Sequence, residues 1–177
     1  MTTPAYRVIV VCTGNICRSP MGEFILRERF EAARIGGLVT VESAGTHSWE
    51  VGSPADPRTL AVLARHGHPD FGGADHVARM FKREWINEAD LVLAADSGHR
   101  RHLLKLARTD EQRAKVQLFR SFDPDAVRAG QLDMVDPWYG DEEAFDRTYA
   151  EVTASADGVV EHVWRELARS AQARGSR

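Results

Sequence analysis

The stretch VIVVCTGNICRSPMGE, Val8 to Glu23, decides the reading of this chain. Tyr6–Val11 is a run rich in β-branched residues, the pattern of a strand buried on both faces. Cys12 stands at its exit, followed by a short loop that closes on Arg18. Ser19-Pro20 then reads as a helix cap followed by proline at the first helical position. Met21, Phe24 and Ile25 begin an apolar face, and this first helix is expected to run to near Gly36-Gly37.

Outward from that unit, strands and helices alternate. Leu38–Ser43 reads as a second strand ending in the Ala44-Gly45 turn, Asp90–Ala95 as a third and Lys115–Phe119 as a fourth. Ser48–Arg58 is a loop, and Thr59–His66 a helix with Leu60 and Leu63 inward. Another helix places Leu103, Leu104 and Leu106 between the third and fourth strands. From Phe145, apolar residues fall at Tyr149, Val152, Ala156, Val159, Val163 and Leu167, the spacing of a long amphipathic helix. Gly158 is expected to weaken or bend it. The pattern predicts an α/β three-layer sandwich: a four-stranded parallel sheet with helices on both faces. No linker or repeat divides the chain, so one domain over residues 1–170 is expected, with 171–177 a disordered tail.

At 177 residues, 43% of them apolar and 28% charged, the chain has the composition of a soluble globular domain. A net charge of −3 gives no electrostatic case for nucleic acid or an anionic membrane. No apolar run approaches the roughly 20 residues needed to span a bilayer. Met1–Ala5 lacks the build of a signal peptide, and two cysteines in one loop make no disulfide framework. A cytoplasmic protein is expected, although export without a cleavable signal would leave no trace in such a reading.

The loop has its own chemistry. In an open α/β sheet, ligands sit beyond the carboxyl ends of the strands, at the start of the following helix. Backbone N–H groups of Cys12–Arg18 can curl around an anion there, and the helix N-terminus adds partial positive charge. Gly14 removes bulk where the loop bends, and Asn15 tolerates left-handed backbone geometry. The same field favours thiolate at Cys12, and Arg18 can fork two N–H groups onto phosphate oxygens. The pattern is neither a nucleotide P-loop, lacking Gly-Lys-Ser/Thr, nor a dinucleotide fingerprint, since Gly14 is the only glycine before the helix. Taken one at a time, Cys12 and Cys17 could equally be small buried hydrophobes.

The complete CTGNICRSP resembles the signature of low-molecular-weight protein tyrosine phosphatases. Glu42–Thr46 (ESAGT), Ala89–Asp96 (ADLVLAAD) and Asp136–Gly140 (DPWYG) stand in that family's order. The resemblance implies a flavodoxin-like phosphatase architecture and hydrolysis of phosphotyrosine through a cysteinyl-phosphate on Cys12. It implies that the loop Thr13, Gly14, Asn15, Ile16 and Cys17, with Arg18, binds phosphate, and that Ser19 hydrogen-bonds the thiolate. Asp136 becomes the general acid, then the base for water. Asn15, Ser43 and His76 become a supporting layer behind the loop, and Ile16, Trp49, Trp138 and Tyr139 the pocket walls. Asp96 reads as a helix cap; the family often has asparagine where His99 stands, and His99 is given no role.

No cofactor or metal is implied, and no Cys/His cluster has metal-ligand spacing. The implied partners are phosphotyrosine-containing proteins, with a tyrosine kinase as one candidate, acted on by a monomer. A curled loop would also bring Cys12 and Cys17 near enough for a disulfide, making Cys17 a redox guard. Three rivals fit less well. An arsenate reductase on this fold needs further cysteines downstream, and none follows Cys17. Arginine phosphatases tend to carry threonine where Ile16 stands. A silent phosphotyrosine-binding module would dispense with Cys12 or Asp136.

Overall fold

The computed structural model describes residues 5–68 and 75–175. The strands are β1 (Tyr6–Cys12), β2 (Val39–Gly45), β3 (Leu91–Ala94) and β4 (Val116–Leu118). All pair in parallel, in the order β2-β1-β3-β4. That is the expected four-stranded sheet, in a flavodoxin-like strand order. The chain reverses its direction of travel across the sheet at β1, so a crevice opens beyond the carboxyl ends of β1 and β3. The register places Cys12 beside Gly45 and Val11 beside Ala94 at that end.

Seven helices connect and cover the strands among the described residues: α1 (Arg18–Ala32), α2 (Pro57–Arg65), α3 (Trp85–Glu88), α4 (Ser97–Leu106), α5 (Asp110–Ala114), α6 (Pro124–Ala129) and α7 (Glu142–Gly175). Alternation along β1 divides the core in two. Val8, Val10 and Cys12 face Met21, Phe24, Ile25 and Phe30 of α1, Leu63 of α2, and Val152, Ala156 and Val159 of α7. Ile9 and Val11 face Ile86 of α3 and Leu103 of α4. The sheet is therefore the middle layer of three, and β1 is buried on both sides. At about 1.5–3 kcal/mol per large side chain buried, this strand gives the loop after Cys12 a firm base.

Element ends differ from the sequence expectation in instructive ways. Ser19 is not the cap of α1: the helix begins at Arg18, Cys17 precedes it, and no side chain caps it. The helix also stops at Ala32, short of Gly36-Gly37. Arg34 takes a positive φ of 60°, and the Ile35 N–H returns to the Phe30 carbonyl to close the end. Helix α2 starts at Pro57, with Asp56 as its cap. Helix α7 runs unbroken past Ala171 to Gly175, where a tail was expected; residues 176 and 177 lie outside the described residues. Nor does Gly158 break it. A Cβ there would sit 2.1 Å from the Phe122 carbonyl oxygen, so glycine lets α7 press onto the turn Phe119–Phe122. No described helix is long and apolar enough to cross a membrane.

Candidate active site

The β1–α1 loop closes into a cradle because its carbonyls are drawn outward. Thr46 and His47 donate to the carbonyls of Cys12 and Thr13, Asp56 donates to that of Ile16, and Met21 to that of Cys17. The backbone N–H groups of Gly14, Asn15, Ile16 and Cys17 donate to no described protein group. Donors without a protein acceptor, in a loop that lines a cleft, are what an anion site requires, and the N-terminus of the 15-residue α1 points at the same place. Gly45 permits the curl: a Cβ on it would stand 2.6 Å from the Thr13 carbonyl oxygen.

Asn15 holds the sharpest bend, at φ 61°. Every polar group of its side chain is engaged. Nδ2 donates to Ser19 Oγ (2.9 Å) and to Ser43 Oγ (2.8 Å), while Oδ1 accepts from the Arg79 N–H (2.9 Å). His76 Nε2 donates to the Asn15 carbonyl at 2.7 Å, and Ser43 donates to Glu23 at 2.5 Å. So Asn15, Ser43 and His76 meet behind the loop, together with Glu23 and Arg79, which sequence reasoning did not single out. Ser19 Oγ lies 3.0 Å from Cys12 Sγ. Ser19 accepts from Asn15 and keeps its own proton, which it can donate to the sulfur when Cys12 is a thiolate.

Arg18 is buried, 2% exposed, beneath the cradle. Its Nη1 donates to Asp96 Oδ2 and to the Met134 carbonyl, both at 2.9 Å. Its Nη2 donates to Asp136 Oδ2 at 3.0 Å and to Thr13 Oγ1 at 3.3 Å. Burial alone would raise the Asp96 carboxyl. Hydrogen bonds from His99, and the charges of His99 and Arg18, outweigh it and hold Asp96 well below the usual carboxylate range. Asp96 caps α4, as expected, by accepting from the His99 N–H, and it also anchors the arginine. The cap was legible; the second duty was not. His99 itself, with Nε2 2.8 Å from Thr13 Oγ1, was missed, because a histidine in a helical first turn carries no sequence signal of its target.

Asp136 reaches the site from the other end of the chain, as the cap of the turn Pro137–Tyr139, accepting from the Trp138 N–H at 3.2 Å. The resulting cleft, about 160 Å³, is lined by Cys12, Thr13, Gly14, Ile16, Cys17, Arg18, Trp49, Glu50, Asp136, Trp138 and Tyr139. Its floor is buried and its rim aromatic: Trp49 is 75% exposed and stacks on His47 at 4.4 Å, and Tyr139 is 83% exposed. Cys17 sits beside the nucleophile, yet burial pushes its thiol up, helped by the nearby Asp56, Cys12 and Asp136. Among the described residues, no group of three or more His, Cys, Asp or Glu is placed to hold a metal ion.

A thiol at a strand exit, a guanidinium beneath an N–H cradle and a carboxylate beside that guanidinium thus share one cleft. The model for the low molecular weight phosphotyrosine protein phosphatases matches residues 7–171. The chain belongs to this family. It is 51% identical to a low molecular weight protein-tyrosine-phosphatase of Streptomyces coelicolor, over 92% of this chain and 96% of that one. It is 41% identical to low molecular weight protein-tyrosine phosphatase A of Mycobacterium tuberculosis, over 96% and 98% respectively. A low molecular weight phosphotyrosine phosphatase structure from Vibrio cholerae, 31% identical, superposes with a TM-score of 0.77, covering 92% of this chain and 98% of that one.

Proposed function

We propose that this phosphatase hydrolyses phosphotyrosine in proteins, with Cys12 as nucleophile. Cys12 Sγ attacks phosphorus while the loop N–H groups and Arg18 take the three equatorial oxygens. The P–O bond to the tyrosine breaks, and Asp136 gives its proton to the departing phenolate oxygen. Ser19 steadies sulfur as thiolate, both before attack and when it leaves again. In the second step Asp136, now a carboxylate, takes a proton from water as that water attacks the cysteinyl-phosphate. Inorganic phosphate and free Cys12 result. Positive charge comes from Arg18 and the backbone dipoles, so the scheme needs no metal ion.

The observation that carries this reading is the convergence on one cleft of Cys12 at 3.0 Å from Ser19 and Arg18 at 3.0 Å from Asp136. Ile16, Trp49, Trp138 and Tyr139 give that cleft flat apolar walls suited to a phenyl ring, which phosphotyrosine presents and phosphoserine lacks. Two free cysteines, one of them the nucleophile, suit a reducing compartment such as the cytoplasm. The test is turnover of para-nitrophenyl phosphate and of matched phosphotyrosine, phosphoserine and phosphoarginine peptides, with rapid-quench mass analysis of Cys12. A phosphate adduct on Cys12 and selective loss of phosphotyrosine are expected. Equal hydrolysis of all three peptides, or no adduct, would overturn the reading.

A further inference from the structure

His99 is 6% exposed and has no part in the steps above. It lies in the first turn of α4, where its main-chain N–H donates to Asp96 Oδ1 at 2.9 Å. Its ring Nδ1 is 3.0 Å from the same oxygen but is not aligned to hydrogen-bond it, and Nε2 is within hydrogen-bond reach of Thr13 Oγ1 at 2.8 Å. Asp96 Oδ2 accepts from Arg18 Nη1, and Thr13 Oγ1 accepts from Arg18 Nη2. Arg18, Asp96, His99 and Thr13 therefore form a closed ring of contacts. Both edges of the guanidinium return to His99, through its main-chain N–H on Asp96 and its ring Nε2 on Thr13.

The two edges are not equally secured. Nη1 has two close acceptors, Asp96 and the Met134 carbonyl. Nη2 has Asp136 at 3.0 Å and Thr13 at 3.3 Å. Asp136 must turn to the leaving oxygen to deliver its proton, so Thr13 then remains as the protein contact on that edge. A threonine hydroxyl rotates to suit whichever partner is present. Here a buried ring nitrogen fixes it.

We propose that His99 is a positioning residue for phosphoryl transfer, acting through Thr13 to hold the Nη2 edge of Arg18 in the plane of the equatorial phosphate oxygens. The proposal rests on the phosphatase reading of the cleft. Misalignment of a bidentate donor weakens the five-coordinate transition state more than the tetrahedral ground state, because only the former presents its oxygens in that plane.

The test compares His99→Asn with His99→Gln. The asparagine amide ends near the position of Nδ1, and the glutamine amide reaches that of Nε2. His99→Asn should lower kcat/KM for para-nitrophenyl phosphate about tenfold, the loss of one hydrogen bond to a site bearing charge. Inhibition by vanadate, a five-coordinate mimic, should weaken by the same factor while inhibition by inorganic phosphate stays unchanged. His99→Gln should recover most of both. Thr13→Val should reproduce the loss, Thr13→Ser should avoid it, and His99→Asn added to Thr13→Val should cost nothing more. The proposal is overturned if glutamine does no better than asparagine, if vanadate and phosphate weaken alike, or if the two losses multiply. Should His99→Asn fail to fold, equal activity of Thr13→Val and Thr13→Ser overturns it instead. Wild-type protein without turnover would sink the phosphatase reading itself, whereas an active wild type with indifferent variants sinks this inference alone.

Discussion

Cys12, Asn15, Cys17 and Arg18 at the floor of the cleft are buried and the floor's polar side chains are tied to several separate elements, whereas Trp49, Trp138 and Tyr139 at the rim are half to four-fifths exposed. The floor repeats one motif of construction: a polar atom pulled from behind by a partner that is itself held. Asn15 is held by Ser43 and Arg79, Ser43 by Glu23, and Arg18 by Asp96. The rim has little of this; its aromatic rings lean on other exposed or half-exposed rings, Trp49 on His47 and Trp138 on Tyr139 at 5.0 Å. The difference teaches how the protein divides its labour. Transition-state charge needs donors that do not move as it develops. A substrate surface of variable sequence is met by rings that gain burial only when the substrate arrives.

The floor should break hardest at its centre. Cys12→Ser should keep the fold and still bind inorganic phosphate, because the N–H cradle and Arg18 remain, while losing essentially all turnover. Calorimetric phosphate titration beside a steady-state assay checks both halves, and residual hydrolysis within tenfold of wild type would refute the nucleophile. Next in size, Asp136→Asn should slow aryl phosphates by about 10²–10⁴-fold when the leaving phenol is weakly acidic, and far less when it is strongly acidic. A series of substituted phenyl phosphates measures this. A loss independent of the leaving group would remove Asp136 from the proton-transfer role.

Cys17 tests the floor in another way. Its thiol is held protonated by burial and by Asp56, so peroxide should oxidise Cys12 first, and Cys17 should then close a disulfide with it. After peroxide and then a thiol reductant, wild type should recover most of its activity and Cys17→Ser little. Equal recovery would make Cys17 a packing residue only. The smallest effect belongs to the rim. Trp49→Ala should raise KM for phosphotyrosine peptides several-fold with kcat and melting temperature nearly unchanged, as expected for an exposed ring that contributes uniform binding. A matching fall in kcat would place Trp49 with the floor.

Sequence by itself determined a good deal here. The β-branched run before Cys12 and the Cys-x5-Arg spacing are local or motif signals, and the α/β alternation predicts the parallel sheet; the meeting of Asp136 with Cys12 and Arg18 was implied by the family resemblance, not by the alternation. Periodicity also marked the long helix from Phe145, because a 3.6-residue stripe persists whatever the helix packs against. What tertiary structure alone decided is where each polar group spends its hydrogen bonds. Ser19 looked locally like a cap and the resemblance gave its bond to Cys12, but the Asn15 amide that donates to its hydroxyl was not legible. Gly158 looked like a weak point, and it is the place where α7 meets the Phe122 carbonyl. Asp96 was legible as a cap, but its hold on Arg18, 78 residues away, was not. His99 and Glu23 gave no signal. Such contacts join residues far apart in the chain, and a buried donor or acceptor takes whichever partner the packed layers bring within 3 Å, a choice that no local pattern of residues records.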